Sequence, residues 1–118
     1  MSASNLLKLL SLLNRNDSIT LCTDKLTELE RLYVHNILNE KLDFCHSNLL
    51  CSFYVSHCPN LRRIDLRRCP YVSDIYCPSN PLLTHIDFHR DQKASIGWAG
   101  SPIDESTERN IIHMLQVL

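Results

Sequence analysis

The sequence predicts an α/β fold: a short solenoid of two to three stacked repeats, each with one parallel strand, closed by a helix at either end. Three observations predict it. Apolar residues recur in a common frame through the middle of the chain. Leucines near the start fall on one helical face, and so do the apolar residues near the end.

The size fits a single domain spanning residues 1–118, since the chain has 118 residues of which 44% are hydrophobic. Residues 1–25 read as an N-terminal helical cap, 26–92 as the repeats, and 93–118 as a loop and C-terminal helix. The formal net charge of −1 excludes a polyanion binder that works by overall charge. With only 2 glycines there is no GxGxxG or GxxxxGK[ST] string to cradle phosphates.

The opening residues do not read as a secretory leader, because Lys8 interrupts the leucines. The 6 cysteines, Cys22, Cys45, Cys51, Cys58, Cys69 and Cys77, are therefore expected to be free thiols packed as small hydrophobes. The expected setting is intracellular: cytoplasm, nucleus or mitochondrion. The last stays open because residues 1–16 hold no acid and put Lys8 and Arg15 on an amphipathic helix, as mitochondrial presequences do. No run reaches the roughly 18 apolar residues of a membrane span.

In chain order, Ser4 can cap a helix over 5–14, with Leu6, Leu9, Leu10 and Leu13 on its buried face. A short β-like piece, Ile19 to Leu21, follows. Three segments then superpose: Leu29 to Ile37, Leu61 to Cys69, and Leu83 to Asp91. Each has apolar residues at positions 1, 4 and 6, the L-x-x-L-x-L pattern of a leucine-rich repeat. Positions 4 and 6 of such a strand point into a core, while 3, 5 and 7 face solvent. One repeat cannot bury its apolar face alone, so neighbours and caps are required.

The string from Cys58 to Asp74, C-P-N-L-R-R-I-D-L-R-R-C-P-Y-V-S-D, closely resembles the cysteine-containing leucine-rich repeat. That family is known from F-box substrate adaptors, and related repeats occur in a mitochondrial ATP-synthase coupling factor. The resemblance implies that a helix carrying Leu50, Cys51, Tyr54 and Val55 inward ends at Cys58. It also implies that Cys69 turns the chain out of the strand, both thiols being buried. No F-box-like segment accompanies it, and the third copy has Asp91 where the pattern expects Cys.

Gly97, Gly100 and Pro102 mark a loop. Ser101-Pro102-Ile103-Asp104 then supplies an N-cap, a proline at the first helical position and an acid three residues on. Ile111, Met114, Leu115 and Leu118 form the apolar stripe of this helix, able to cover an open sheet edge or to dock a partner. Trp98, the single tryptophan, either plugs the core or anchors a partner.

The solvent positions of the three copies define the candidate binding face: Arg31, Tyr33 and His35; Arg63, Asp65 and Arg67; His85, Asp87 and His89. Side by side they would form cationic columns around an acidic one, with spare guanidinium groups for a carboxylate or phosphate. His85-x-Asp87-x-His89 shares one strand face and could hold a metal, but the preceding copy has Arg63-x-Asp65-x-Arg67 at the same places. The cysteines lack the paired spacing of a zinc finger. His57-Cys58 are adjacent and point apart on an extended chain, which argues against a cysteine nucleophile. Asp65 and Asp87 inside the arginine cluster argue against nucleic acid.

The expectation is a non-catalytic protein–protein interaction module without a cofactor. It would be a small adaptor or an assembly subunit of a larger complex, binding through the exposed strand face, with Trp98, Met114 and Leu118 as further docking residues. The alternative is a zinc-binding regulatory domain using the Cys and His residues.

Overall fold

A computed structural model of the chain describes residues 20–22, 30–44, 47–90 and 92–116. The expected helix over 5–14 lies outside them, as do Leu29, Cys45, Asp91 and Leu118. Successive strands alternate between two parallel sheets. β1 (Thr20–Cys22), β3 (Lys41–Asp43), β5 (Arg63–Asp65) and β7 (His85–Asp87) form one. β2 (Arg31–His35), β4 (Ser52–Ser56), β6 (Asp74–Tyr76) and β8 (Ser95–Gly97) form the other. Helix α1 (Glu105–Gln116) follows β8.

The strands of the first sheet begin at residues 20, 41, 63 and 85, in steps of 21, 22 and 22. Those of the second begin at 31, 52, 74 and 95, in steps of 21, 22 and 21. Each strand therefore pairs with the strand two further along the chain, with its residues in matching register. The buried side chains follow the two-residue alternation of a strand. Leu32, Val34, Phe53, Val55 and Ile75 enter the core from the second sheet, and Leu42, Ile64 and Ile86 from the first. Phe44, just past β3, stacks on Phe53 of β4 with ring centroids 5.4 Å apart, joining the sheets through one core.

Three expectations are corrected here. The Leu29–Ile37 segment is no copy of the other two, because it supplies β2 of the opposite sheet. The strand beside Arg63–Asp65 is Lys41–Asp43. The 32 residues from Leu29 to Leu61 thus separate unlike strands. Residues before Cys58 form strand β4 and no helix: Phe53 and Val55 are buried, Tyr54 is half-buried and Cys51 is exposed. Aromatic and β-branched residues alternating with polar ones favour a pleated surface over a helix.

The N-cap of α1 is Asp104, not Ser101. Asp104 Oδ1 accepts the Thr107 amide at 2.8 Å, and the Asp104 carbonyl accepts the first helical bond, from Glu108. Ser101-Pro102 belongs to a turn that recurs after each strand of the second sheet. Positive φ falls at Asn36, His57, Ser79 and Gly100, in steps of 21, 22 and 21. Proline stands two residues on at Pro59, Pro81 and Pro102. Between them lies a buried polar network. Asn80 Oδ1 accepts the Cys58 amide, and its Nδ2 donates to the carbonyls of Val55 and Cys77. The Ser101 hydroxyl accepts the Asn80 amide and donates to the Cys77 carbonyl.

Helix α1 sits by β7, the last strand of the first sheet. Thr107 Oγ1 accepts the Ile86 amide, and the Asp104 amide donates to the Thr84 carbonyl, which uses groups an edge strand would leave open. Ile111 and Met114 are buried, as the apolar stripe predicts. No helix among the described residues is long and apolar enough to cross a membrane.

Candidate functional site

The first sheet presents the charged face. Register aligns Thr20, Lys41, Arg63 and His85 in one column and Cys22, Asp43, Asp65 and Asp87 in the next. Strands about 4.8 Å apart bring like-charged aspartates close, which is destabilising unless cations answer them. They do. Arg63 donates from Nε and Nη2 to Asp87 at 2.6 and 3.1 Å. Arg67, in the turn after β5, donates from Nε, Nη2 and its backbone amide to Asp65 at 3.0, 2.8 and 3.0 Å. Lys41 Nζ lies 3.9 Å from the same carboxylate.

Asp65 is buried, against the expectation that position 5 meets solvent. Burial pulls its pKa up, but the Arg67 hydrogen bonds and the charges of Arg67 and Lys41 outweigh it, so the carboxyl ends below the ordinary aspartate value. His85 Nε2 meets Asp104 Oδ2 at 2.8 Å, tying the strand to the helix cap. The Thr107 amide, with a smaller contribution from His85, holds the Asp104 carboxyl below its ordinary range. The spare guanidinium groups expected on this face are thus already occupied: both forks grip aspartates of the same sheet.

Arg31, Tyr33 and His35 stand elsewhere, on the outer face of the second sheet. There the register places Tyr33, Tyr54 and Tyr76 in one row. Their ring centroids are 6.2 and 4.9 Å apart with interplanar angles of 30° and 40°, within the range of favourable aromatic pairs. Tyr33 is 71% exposed and Tyr76 46% exposed. The row ends at Gly97, where a Cβ would lie 2.7 Å from the Tyr76 ring, so only glycine leaves room for the ring to lie down. Arg31 and Asp74 flank the row, and with Ser52 and the tyrosines they line a shallow groove of about 380 Å³.

Tyr54, Tyr76, Asp74, Lys41, Asp43 and Asp104 were not among the binding-face residues that the sequence points to; Tyr54 was expected inside a helix and Asp104 only in the first turn of the C-terminal one. The signal was present: the three tyrosines recur at steps of 21 and 22, the period of the strands.

His85, Asp87 and His89 do not converge. His85 turns to Asp104, and Asp87 to Arg63. Among the described residues no group of three His, Cys, Asp or Glu could hold a metal ion. Cys58, Cys69 and Cys77 are buried free thiols. Burial pushes Cys69 and Cys77 up to about 12 and raises Cys58 as well, which disfavours the thiolate that a nucleophile requires. Cys58 Sγ donates to the Ser56 carbonyl instead. Trp98 packs, partly buried, against the core. No family model, curated protein or solved structure matches this chain.

Proposed function

We propose that this protein is a non-catalytic protein–protein interaction module, an adaptor or assembly subunit, that contacts its partner through the tyrosine-lined face of the second sheet. The observation that carries the reading is the row Tyr33–Tyr54–Tyr76, exposed at Tyr33 and Tyr76 and half-buried at Tyr54, with Arg31 at its edge. Tyrosine offers large contact area at low conformational cost and is enriched at protein interfaces. A rigid sheet presents the three rings in fixed register. By contrast, the charged face uses its ionic groups on itself.

The finer architecture belongs to the same proposal: a short solenoid of the leucine-rich-repeat kind, with a coil of 21 or 22 residues carrying two strands. The resemblance around Cys58–Asp74 supports it. Buried free thiols suit a reducing compartment, which supports an intracellular setting.

The test is proximity cross-linking in cells of origin with quantitative mass spectrometry. Wild type, Tyr33→Ser/Tyr54→Ser and Arg63→Gln/Asp87→Asn are compared, each checked for an unchanged circular dichroism spectrum. The reading expects one set of cross-linked proteins to fall at least about tenfold in the tyrosine variant and persist in the charge variant. An unchanged set in the tyrosine variant would sink it.

A further inference from the structure

We propose that the tyrosine row takes a proline-rich segment in the polyproline II conformation, one that carries an acidic and a basic side chain three residues apart. The inference rests on the reading of this face as the docking surface and names the chemistry of its partner.

The spacing of the rings fits such a segment. Tyr33 and Tyr76 stand on β2 and β6 with β4 between them, so two strand spacings, about 9.6 Å, separate their positions. A polyproline II helix has three residues per turn and rises about 3.1 Å per residue, which puts residues i and i+3 on one edge about 9.3 Å apart. Prolines at i and i+3 can therefore rest on the exposed Tyr33 and Tyr76, with the half-buried Tyr54 as the floor between them. Aromatic-lined grooves suit this ligand because it is already stiff and loses little entropy on docking.

The charges select the same partner. Arg31 and Asp74 each stand two residues before a tyrosine of the row, on the same face, with Ser52 between them in register. Both are exposed, and among the described residues neither takes part in an ion pair. The edge of the peptide beside its proline edge has the same repeat of about 9.3 Å. An acid there answers Arg31, and a base three residues away answers Asp74. A nucleic acid would bring like charge to Asp74, and a neutral oligosaccharide would leave both charges unanswered. Hydrogen bonding agrees. Proline has no N–H, and a polyproline II chain keeps its carbonyls free, so the ligand mainly accepts. The tyrosine and Ser52 hydroxyls and the Arg31 guanidinium can donate.

The experiment is an NMR titration of the full chain with Pro-Pro-Glu-Pro-Pro-Lys-Pro-Pro. Saturable shifts centred on the tyrosine row, with a dissociation constant below about 0.5 mM, are expected. The peptide with alanine for every proline should bind at least about fivefold more weakly, since it is not stiffened in advance. Two variants, each with an unchanged circular dichroism spectrum, test the charges. Arg31→Glu should come to prefer the peptide with two lysines by about threefold, and Asp74→Lys the peptide with two glutamates. Equal binding by the alanine peptide, or no change of preference in both variants, overturns the proposal. So does saturation by cellohexaose in place of the peptide. No saturation by about 5 mM peptide overturns the proline-rich partner alone if the cross-links still depend on Tyr33 and Tyr54, and overturns the docking face with it if they do not.

Discussion

Asp65 shows how one side chain can be both buried and charged. Its carboxylate accepts bonds from the Arg67 side chain and amide, so its desolvation is answered from within the same turn. The two partners are not equivalent. Removing the carboxylate leaves the Arg67 amide without its acceptor, whereas trimming the exposed Arg67 side chain spares that bond. Asp65→Ala should therefore destabilise by about 1–3 kcal/mol in urea unfolding, and Arg67→Gln clearly less. The pH dependence has a defined sign. A folded-state pKa held below the ordinary value of about 3.9 adds stability above that value, lost as pH falls through the folded pKa. Asp104 is shifted in the same direction. Stability should fall on acidification below pH ~4, and Asp65→Asn should flatten part of that fall. An identical acid limb in the two proteins would show that Asp65 does not contribute.

At the scale of the element, the turn after each second-sheet strand decides the path of the chain. It needs a left-handed residue, and Asn36, His57, Ser79 and Gly100 occupy it. Asparagine and glycine tolerate that conformation, while histidine and serine adopt it at a cost. Ser79→Gly should therefore stabilise by about 0.5–1 kcal/mol, measured as a shift of the urea midpoint at constant slope. The recurrence also explains why Ser101-Pro102 resembles a helix start without being one. Proline is compatible with the first helical position, but here it repeats the Cys58-Pro59 and Asn80-Pro81 turns. Local chemistry alone does not separate the two uses. Asp104 becomes the cap because its side chain reaches the Thr107 amide and His85 of the neighbouring strand at once.

At the scale of the whole molecule, both sheets close on one core. Ile64 lies between Leu42 and Ile86 in register, while Phe44 carries the contact across to Phe53. A cavity in the first sheet should therefore weaken the second. Ile64→Ala is expected to cost about 2–4 kcal/mol, and the tyrosine near-ultraviolet signal of the second sheet should melt together with the far-ultraviolet signal. Two separate transitions would show that the sheets unfold independently.

Much of the first sheet was legible in the residues. The frame at Leu61–Leu66 and Leu83–Phe88 identified β5 and β7, and the apolar stripe at Ile111 and Met114 identified the C-terminal helix. Both are local patterns, set by which side chains must leave water within a few residues. The second sheet was not legible as a sheet because Ser52–Ser56 is only five residues long: its alternation leans to a strand, but Leu50, Tyr54 and Val55 also fall at helical spacing. Only pairing with the strand 21 or 22 residues away selects one of them. The same holds for the charged face. The sequence by itself determined that Arg63, Asp65, Arg67, His85 and Asp87 cluster on one strand system. The tertiary structure decided that Arg31, Tyr33 and His35 stand on the other sheet, and that each arginine fork grips an aspartate. Those outcomes depend on register between distant strands, and register is set by the packing of a shared core rather than by any one segment.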